Sequence, residues 1–520
     1  MTKPIKAARL SLSLLLSTVL LSALGCTDLT ETPTSAITPE NFYRNEGEVL
    51  GGLAAVYAQM RGVTNDYWDA TEVSSDEIIV PIRGGDWNDG GQWLQLDGQT
   101  WTASNRASGP ITGAWSSSFT GIARANVLLD ALDRVDVPNE AAIVAELRTL
   151  RGFYYYLLMD MFGGVPIVTD IEIKARPRAT RPEVFAFIES ELNDARTDLP
   201  DRWPDASNGR LTKGAADAIL ASMYLNAGVW MKETGVSATA YNTCLGVQVS
   251  GGVDACQAAI AAADRIINSG QYSLAANWRS NFTYDNQTSP ENIMVVKFLN
   301  KTDVGMNFIM RALHYNQLTN ATPWNGFATL AQTYNAFDAD DQRRQMWLAG
   351  PQTNVETGVP VNDRGGNALV FTTTINDITL ATEGEGPRFY KYPADPTRPA
   401  GEINGNDYAV FRLAEIHLIK AEALNEQTPG SPAALLLVNA LRARVFNPAE
   451  PLAAIDRAAL LQERLFELAA EARRRQDLIR HGRFIEAWEH KPAGTANLIL
   501  MPIPQSQLDA NPLLVQNPGY

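Results

Sequence analysis

Residues 180–228 read TRPEVFAFIESELNDARTDLPDRWPDASNGRLTKGAADAILASMYLNAG, and their two apolar periodicities decide what kind of fold the chain takes. Thr180-Arg181-Pro182-Glu183 has the form of a capping box, in which Thr and Glu side chains satisfy the first free N–H groups of a helix. Val184, Phe187, Ile188, Leu192 and Ala195 then recur on one helical face until Leu199-Pro200 ends it. A second helix starts at Thr212 and carries Ala216, Ile219, Met223 and Ala227. Residues 183–228 are thus a helix-turn-helix hairpin whose small alanines permit close packing.

The same pattern spreads outward. Thr38-Pro39 reads as an N-cap and first helical residue, followed by Phe42, Val49, Leu53, Val56 and Met60 at helical spacing. A helix over Trp115 to Leu132 precedes one in which Leu147, Leu150, Tyr154, Leu158 and Met161 form a stripe that Gly163-Gly164 stops. Helices return over Val410 to Leu424, Ala433 to Arg444 and Ala458 to Arg475. Between them, residues 270–410 hold short strand-like runs at Ile293 to Phe298, Leu369 to Thr374 and Arg388 to Tyr392, separated by Gly, Asn, Asp and Pro. The fold class expected is mainly α, built of tetratricopeptide-like hairpins with a loop-rich region and a few short strands.

The first 25 residues stand apart. Lys3, Lys6 and Arg9 precede the apolar run Leu10 to Leu24, the pattern of a secretory signal. That run is shorter than the roughly 20 residues a membrane helix needs. It ends Leu21-Ser22-Ala23-Leu24-Gly25-Cys26, close to a bacterial lipobox in which Cys26 would take the lipid, although Leu and the small residue stand in exchanged places. Residues 1–25 are read as a lipoprotein signal peptide and the Thr-rich stretch 26–37 as a lipidated tether. Residues 38–520 form a single globule, with an N-terminal hairpin region at 38–270, a loop-rich ligand-side region at 271–409 and C-terminal helices with the tail at 410–520.

Removing residues 1–25 takes away three cations and no acid, so the net charge falls from −15 to −18. Nucleic acid is excluded as a partner, since binding it requires Lys and Arg to neutralise phosphates. Cys244 and Cys256 remain, and in an oxidising compartment two close cysteines in a Gly-rich segment are expected to form a disulfide, with free thiols as the alternative. Closing so small a loop restricts the unfolded chain by about 3 kcal/mol.

Several stretches resemble the SusD/RagB family. Met501-Pro502-Ile503-Pro504, Leu508-Asp509-Ala510-Asn511-Pro512 and Gln516-Asn517-Pro518-Gly519-Tyr520 are similar to that family's closing signature. Glu463-Arg464 with Glu467, Glu471 and Asp477-Leu478-Ile479-Arg480 resembles one of its helices, and Arg412-Leu413-Ala414-Glu415 with Ala421-Glu422-Ala423 another. Leu150-Arg151-Gly152-Phe153-Tyr154-Tyr155, Phe162-Gly163-Gly164-Val165-Pro166 and Gly209-Arg210-Leu211-Thr212-Lys213-Gly214-Ala215-Ala216 are further matches. Ala472 departs from the family, which has Gly there, and a straighter helix is the expected consequence. The resemblance implies a SusD-like fold and a lipid-anchored protein on the exterior of the outer membrane. It also implies a SusC-like TonB-dependent transporter as partner, to which captured oligosaccharide is delivered.

No motif carries catalysis. A Gly-x-Ser-x-Gly elbow, a His-Glu-x-x-His helix, a Walker loop and a Rossmann fingerprint are all missing. His314, His417, His481 and His490 are scattered, and His417 lies on a helical stripe where packing explains it. No enzyme activity, no cofactor and no metal are expected. Asp86-x-Asn88-x-x-Gly91 with Asp97 departs from a calcium loop at Gly90 and at its last ligand.

The segment 76–101 is the richest in ligand-like residues. Indole faces pack on the C–H face of a sugar ring, and charged groups bond its hydroxyls. Asp76, Arg83, Asp86, Trp87 and Trp93 are the first candidate contacts, with Trp324, Asn325 and Arg388 behind them. The alternatives are that Trp87, Trp93 and Trp101 pin a long loop to the helices and that Arg388 is an ion-pair partner. Arg473-Arg474-Arg475 reads as a solvated helix end, or else as a contact with the transporter. A peptide cargo, as in the RagB branch, and a surface glycoside hydrolase are the competing functions.

Overall fold

The structure, a computed structural model, describes residues 42–397 and 404–520. The expected signal peptide, Cys26, the tether and the Thr38-Pro39 cap lie outside the described residues. Asn45–Tyr520 forms one compact unit, and the account below concerns it. Of the separate stretch Met1–Arg44, only Phe42, Tyr43 and Arg44 are described; the Phe42 and Tyr43 rings meet edge to face at 4.9 Å.

Helices α1 (Glu46–Ala58), α2 (Asp66–Glu72), α3 (Gln92–Asp97), α4 (Ser108–Leu132), α5 (Glu140–Phe162), α6 (Arg181–Asp198), α7 (Lys213–Leu225) and α8 (Ala255–Ile267) occupy the first half. Asn45 caps α1 by accepting from the Glu48 N–H at 3.1 Å, and Val49, Leu53, Val56 and Met60 are buried as their spacing requires. Phe42, placed on the same stripe from sequence, precedes α1 and is exposed. The capping box at α6 forms with both of its hydrogen bonds. From α4 to α8 each helix packs on the next, and α8 packs in turn on α10 (Leu413–Gln427), introduced with α9 (Phe308–Ala312). The run continues with α11 (Pro432–Arg442) and α12 (Arg457–Leu468), both packed on α10, and α13 (Arg474–Arg480). The Cys244–Cys256 disulfide, Cα atoms 5.0 Å apart, ties the loop before α8 to that helix's first turn.

The strand Asn292–Val296 pairs antiparallel with Tyr408–Arg412 through a bulge, and the loop-rich region lies between them in sequence. Within that region Trp347–Leu348 pairs with Arg388–Phe389, and Gly350–Pro351 with Val370–Phe371. Single bridges join Ile79 to Ala328 and Ala328 to Arg388. These place the segment after α2 directly against the loop-rich region.

The helix expected over Ala458–Arg475 is broken. It ends at Leu468, and Ala470 and Ala472 take left-handed φ values of 60° and 58° before α13 begins. The cause is distant: the buried Glu77 and Glu72 carboxyls accept hydrogen bonds from the Ala470 and Ala472 N–H groups. Ala472 therefore stands where the backbone favours glycine, and its Cβ is strained rather than straightening anything. Arg473, Arg474 and Arg475 are buried, correcting the solvated reading. They pair with Glu415 at 2.7 Å, Asp76 at 2.6 Å and Asp160 at 3.1 Å.

Relief of that strain makes Ala472→Gly stabilising by about 1 kcal/mol, seen as a higher urea midpoint; a lower midpoint would show that the methyl group's packing outweighs the strain. A pH effect also follows. Burial pushes the Asp97 carboxyl up to about 8 and raises Glu72 and Glu77, whereas the unfolded values lie near 4. Such groups stabilise the fold fully below the unfolded value and lose that contribution as pH rises through the folded one. Glu422 and Glu467, buried but held well below the usual range by arginines, act oppositely and lose theirs in acid. The urea midpoint is expected to be higher at about pH 5.5 than at about pH 8.5, with Asp97→Asn narrowing the difference; equal midpoints in the parent would refute this.

Candidate functional site: an aromatic cleft

Arg83 and Asp86 exchange backbone hydrogen bonds of 3.1 Å across Gly84-Gly85, and this tight turn delivers Trp87. Trp87 itself has φ 64°, unusual for so large a residue. Its indole lies against Gly326, where a Cβ would stand only 2.2 Å from the ring. Its Nε1–H donates to the Trp324 carbonyl at 2.6 Å. The Trp324–Phe327 segment is in turn fixed by closing the end of α9. The Trp324 N–H donates to the Met310 carbonyl at 2.6 Å, and the Gly326 N–H to Arg311 at 2.8 Å. Asn325 makes the left-handed step between them, with φ 53°.

Trp93, on α3, is nearly buried and donates its Nε1–H to Asp89 at 2.7 Å. The Trp87 ring meets Trp93 at 5.6 Å and Trp324 at 6.3 Å, with the planes inclined by 67° and 53°. Phe327 closes the base, 5.3 Å from both Trp87 and Trp93. The three indoles therefore form an angled surface rather than a flat one. They line a cleft of about 290 Å³ together with Asp66, Asp69, Gln92, Asn307 and Arg311.

The polar side of the cleft comes from α2 and α9. Arg311 donates to Asp69 at 2.6 Å and to the Asn65 side chain at 2.9 Å. Burial pushes the Asp69 carboxyl up to about 6 despite that partner, and burial likewise raises Asp66. Beside Trp87, Asp86 accepts from the Tyr315 hydroxyl and lies 3.6 Å from Arg364, which stacks on the Tyr315 ring at 4.1 Å.

Of the eight residues expected to touch ligand, the structure brings Trp87, Trp93 and Trp324 together and leaves Asp86 at their edge. The other four serve the scaffold, which corrects the expectation. Asp76 is held by both arms of Arg474, at 2.6 and 2.7 Å. Arg83 is buried and donates to the Thr382 and Glu385 carbonyls at 2.5 and 2.8 Å. Arg388 is fully buried, with Glu383, Glu385 and Gly386 carbonyls around it and Asn325 Oδ1 at 3.0 Å. Asn325 is itself buried, donating to the Glu383 carbonyl at 3.1 Å. Trp101 is a pin, its Nε1–H reaching the Tyr520 hydroxyl at 2.8 Å. Sequence reasoning missed Asp66, Asp69, Arg311 and Phe327, which only the tertiary fold assembles. Among the described residues no group of His, Cys, Asp and Glu could hold a metal ion, and no helix is long and apolar enough to cross a membrane.

The family model described as the SusD family matches residues 259–520, and one described as starch-binding associating with outer membrane matches residues 53–225. The chain belongs to the SusD family. It is 26% identical to SusD-like protein P2 of Formosa agariphila, over 96% of this chain and 98% of that protein. It is 24% identical to the starch-binding protein SusD of Bacteroides thetaiotaomicron, over 87% and 85%. Among solved structures, a laminarin-binding SusD-like protein superposes with TM-score 0.72 at 27% identity, over 92% of this chain and all of that one.

Because Trp87 rests on a residue without a side chain, Gly326→Ala is expected to displace the indole, cost about 1–3 kcal/mol and weaken the near-UV circular dichroism of the coupled rings. An unchanged near-UV spectrum would show that the indole does not depend on that contact.

Proposed function

We propose that this chain is a cell-surface glycan-binding lipoprotein, anchored through Cys26 at the outer membrane. It captures oligosaccharide in the aromatic cleft and passes it to a SusC-like TonB-dependent transporter, with no turnover. The observation that carries the reading is the meeting of Trp87, Trp93 and Trp324 around a 290 Å³ cleft with carboxyl, amide and guanidinium groups on its other walls. Sugar rings need that mixture: apolar C–H faces pack on indoles while hydroxyls bond to fixed polar groups. The names of the relatives support the cargo class, one being starch-binding and another laminarin-binding. The signal-like residues 1–25 and Cys26 support the anchor.

The Trp87 indole is held by the Trp324 carbonyl and the Trp93 indole by the Asp89 carboxylate, so the cleft keeps its shape without ligand and binding loses little conformational freedom. Asp86, at the edge with Tyr315 and Arg364, is in position to meet a second sugar unit of a longer chain.

Calorimetric titration with neutral glucose oligomers, including laminarihexaose and maltohexaose, and with peptides is the test. A glycan is expected to bind, Trp87→Ala to weaken it about tenfold or more, and no reducing ends to be released. Binding of peptides alone, or release of sugar, would overturn the reading.

A further inference from the structure

We propose that Asp66 grips the sugar hydroxyls in the aromatic cleft and that its charge restricts the cleft to uncharged glycans. The inference rests on the glycan-binding reading above and goes further, naming the acceptor and the charge class of the ligand.

The polar walls of the cleft are unequal. Arg311 is engaged on two sides, by Asp69 at 2.6 Å and by the Asn65 side chain at 2.9 Å, and this engages Asp69 as well. Asp66 differs: among the described residues no hydrogen bond from another residue and no ion pair holds its carboxyl, and Arg311, already engaged, attracts it only through space. Its position is nonetheless built. On α4, Gly113 faces it so closely that a Cβ there would stand 2.2 Å from the Asp66 Cγ. The carboxyl thus lies against bare helix backbone, in a wall it shares with Gly109 and Pro110.

A carboxylate only accepts hydrogen bonds, and its two oxygens suit two adjacent hydroxyls of one ring. With Asp69 and Arg311 neutralising one another, Asp66 leaves the cleft with a net negative charge. A glycan bearing carboxylate or sulfate would bring a like charge into a partly dehydrated space, where repulsion is screened less than in bulk water. Neutral hexose oligomers meet no such cost.

The test uses the full chain at about pH 7.5, titrated with laminarihexaose and maltohexaose and with the same hexasaccharides oxidised at C6 to carboxylates. The parent is expected to bind a neutral probe at least tenfold more tightly than its oxidised form. Asp66→Ala, which removes charge and acceptor, should weaken the neutral probe about tenfold or more. Asp66→Asn keeps the shape and one acceptor oxygen and should hold the neutral probe within about threefold, while the preference over the oxidised probe collapses. The asparagine variant also serves if the alanine variant does not fold. If Trp87→Ala loses the neutral probe but Asp66→Ala does not, the glycan reading stands and the role of Asp66 is refuted. If the parent binds both forms equally, the charge selection is refuted. If no hexasaccharide binds the parent, both readings fall.

Discussion

Glu467 is the point at which the separate parts of this chain are tied together. Its two oxygens accept from Arg343 at 2.9 Å, from Arg412 at 2.6 Å and from Arg444. These come respectively from the loop-rich region, the long strand and the segment after α11. Around it, Arg343 also holds Asp341 and Glu463, and Arg412 holds Glu291 and Glu471. All are buried. Burial alone would raise the Glu467 carboxyl, and the three guanidinium groups instead hold it well below the usual range. A buried network of this kind adds little net stability over an apolar core, yet removing one partner strands the others and costs about 3–5 kcal/mol. Its value lies in register: several segments far apart in sequence fit in one arrangement.

That arrangement reaches the cleft through the junction of α12 and α13. Glu72, at the end of α2, and Glu77 accept from the backbone of Ala472 and Ala470, while Asp76 is clasped by Arg474. The helix carrying Asp66 and Asp69, and the strand-like segment leading to Trp87, are thus both bolted to the C-terminal helices. From the other side, Arg388 and Arg83 gather the carbonyls of Thr382, Glu383, Glu385 and Gly386, and Arg388 holds Asn325 beside Gly326. Polar residues that from composition resemble sugar contacts are therefore what positions the aromatic ones.

The limits of the sequence are physical ones. The hairpins were legible because capping and apolar period are local, as at Thr180–Glu183 and along α5. The break after Leu468 was not, because Ala469, Ala470 and Ala472 are good helix formers and all face inward. The groups that break it, Glu77 and Glu72, lie 393 and 400 residues away in the chain. Arg473, Arg474 and Arg475 resemble a solvent-facing helix end for the same reason, since their three acids come from three other segments. At the cleft the indoles were legible by residue type. Asp66 and Asp69 were not, because they flank the core residues Tyr67 and Trp68 in a helix of seven residues, and nothing nearby marks them as facing a cavity.

The conformation of Trp87 shows how these levels depend on one another. A left-handed backbone costs a large residue about 1–2 kcal/mol, and a loop free to move would shed that cost. Here the indole is held by three separate features: the missing side chain at Gly326, the carbonyl of Trp324 and the rings of Trp93 and Phe327. Each depends in turn on a fixed backbone: Gly326 and Trp324 on the end of α9, and Trp93 on the turn at Asp89. The strain persists because the surroundings over-determine the ring, and the same surroundings keep the cleft open without ligand. A loop by secondary structure is, in its energetics, an edge of the core, and a rigid aromatic surface of that kind suits ligands whose own rings are rigid.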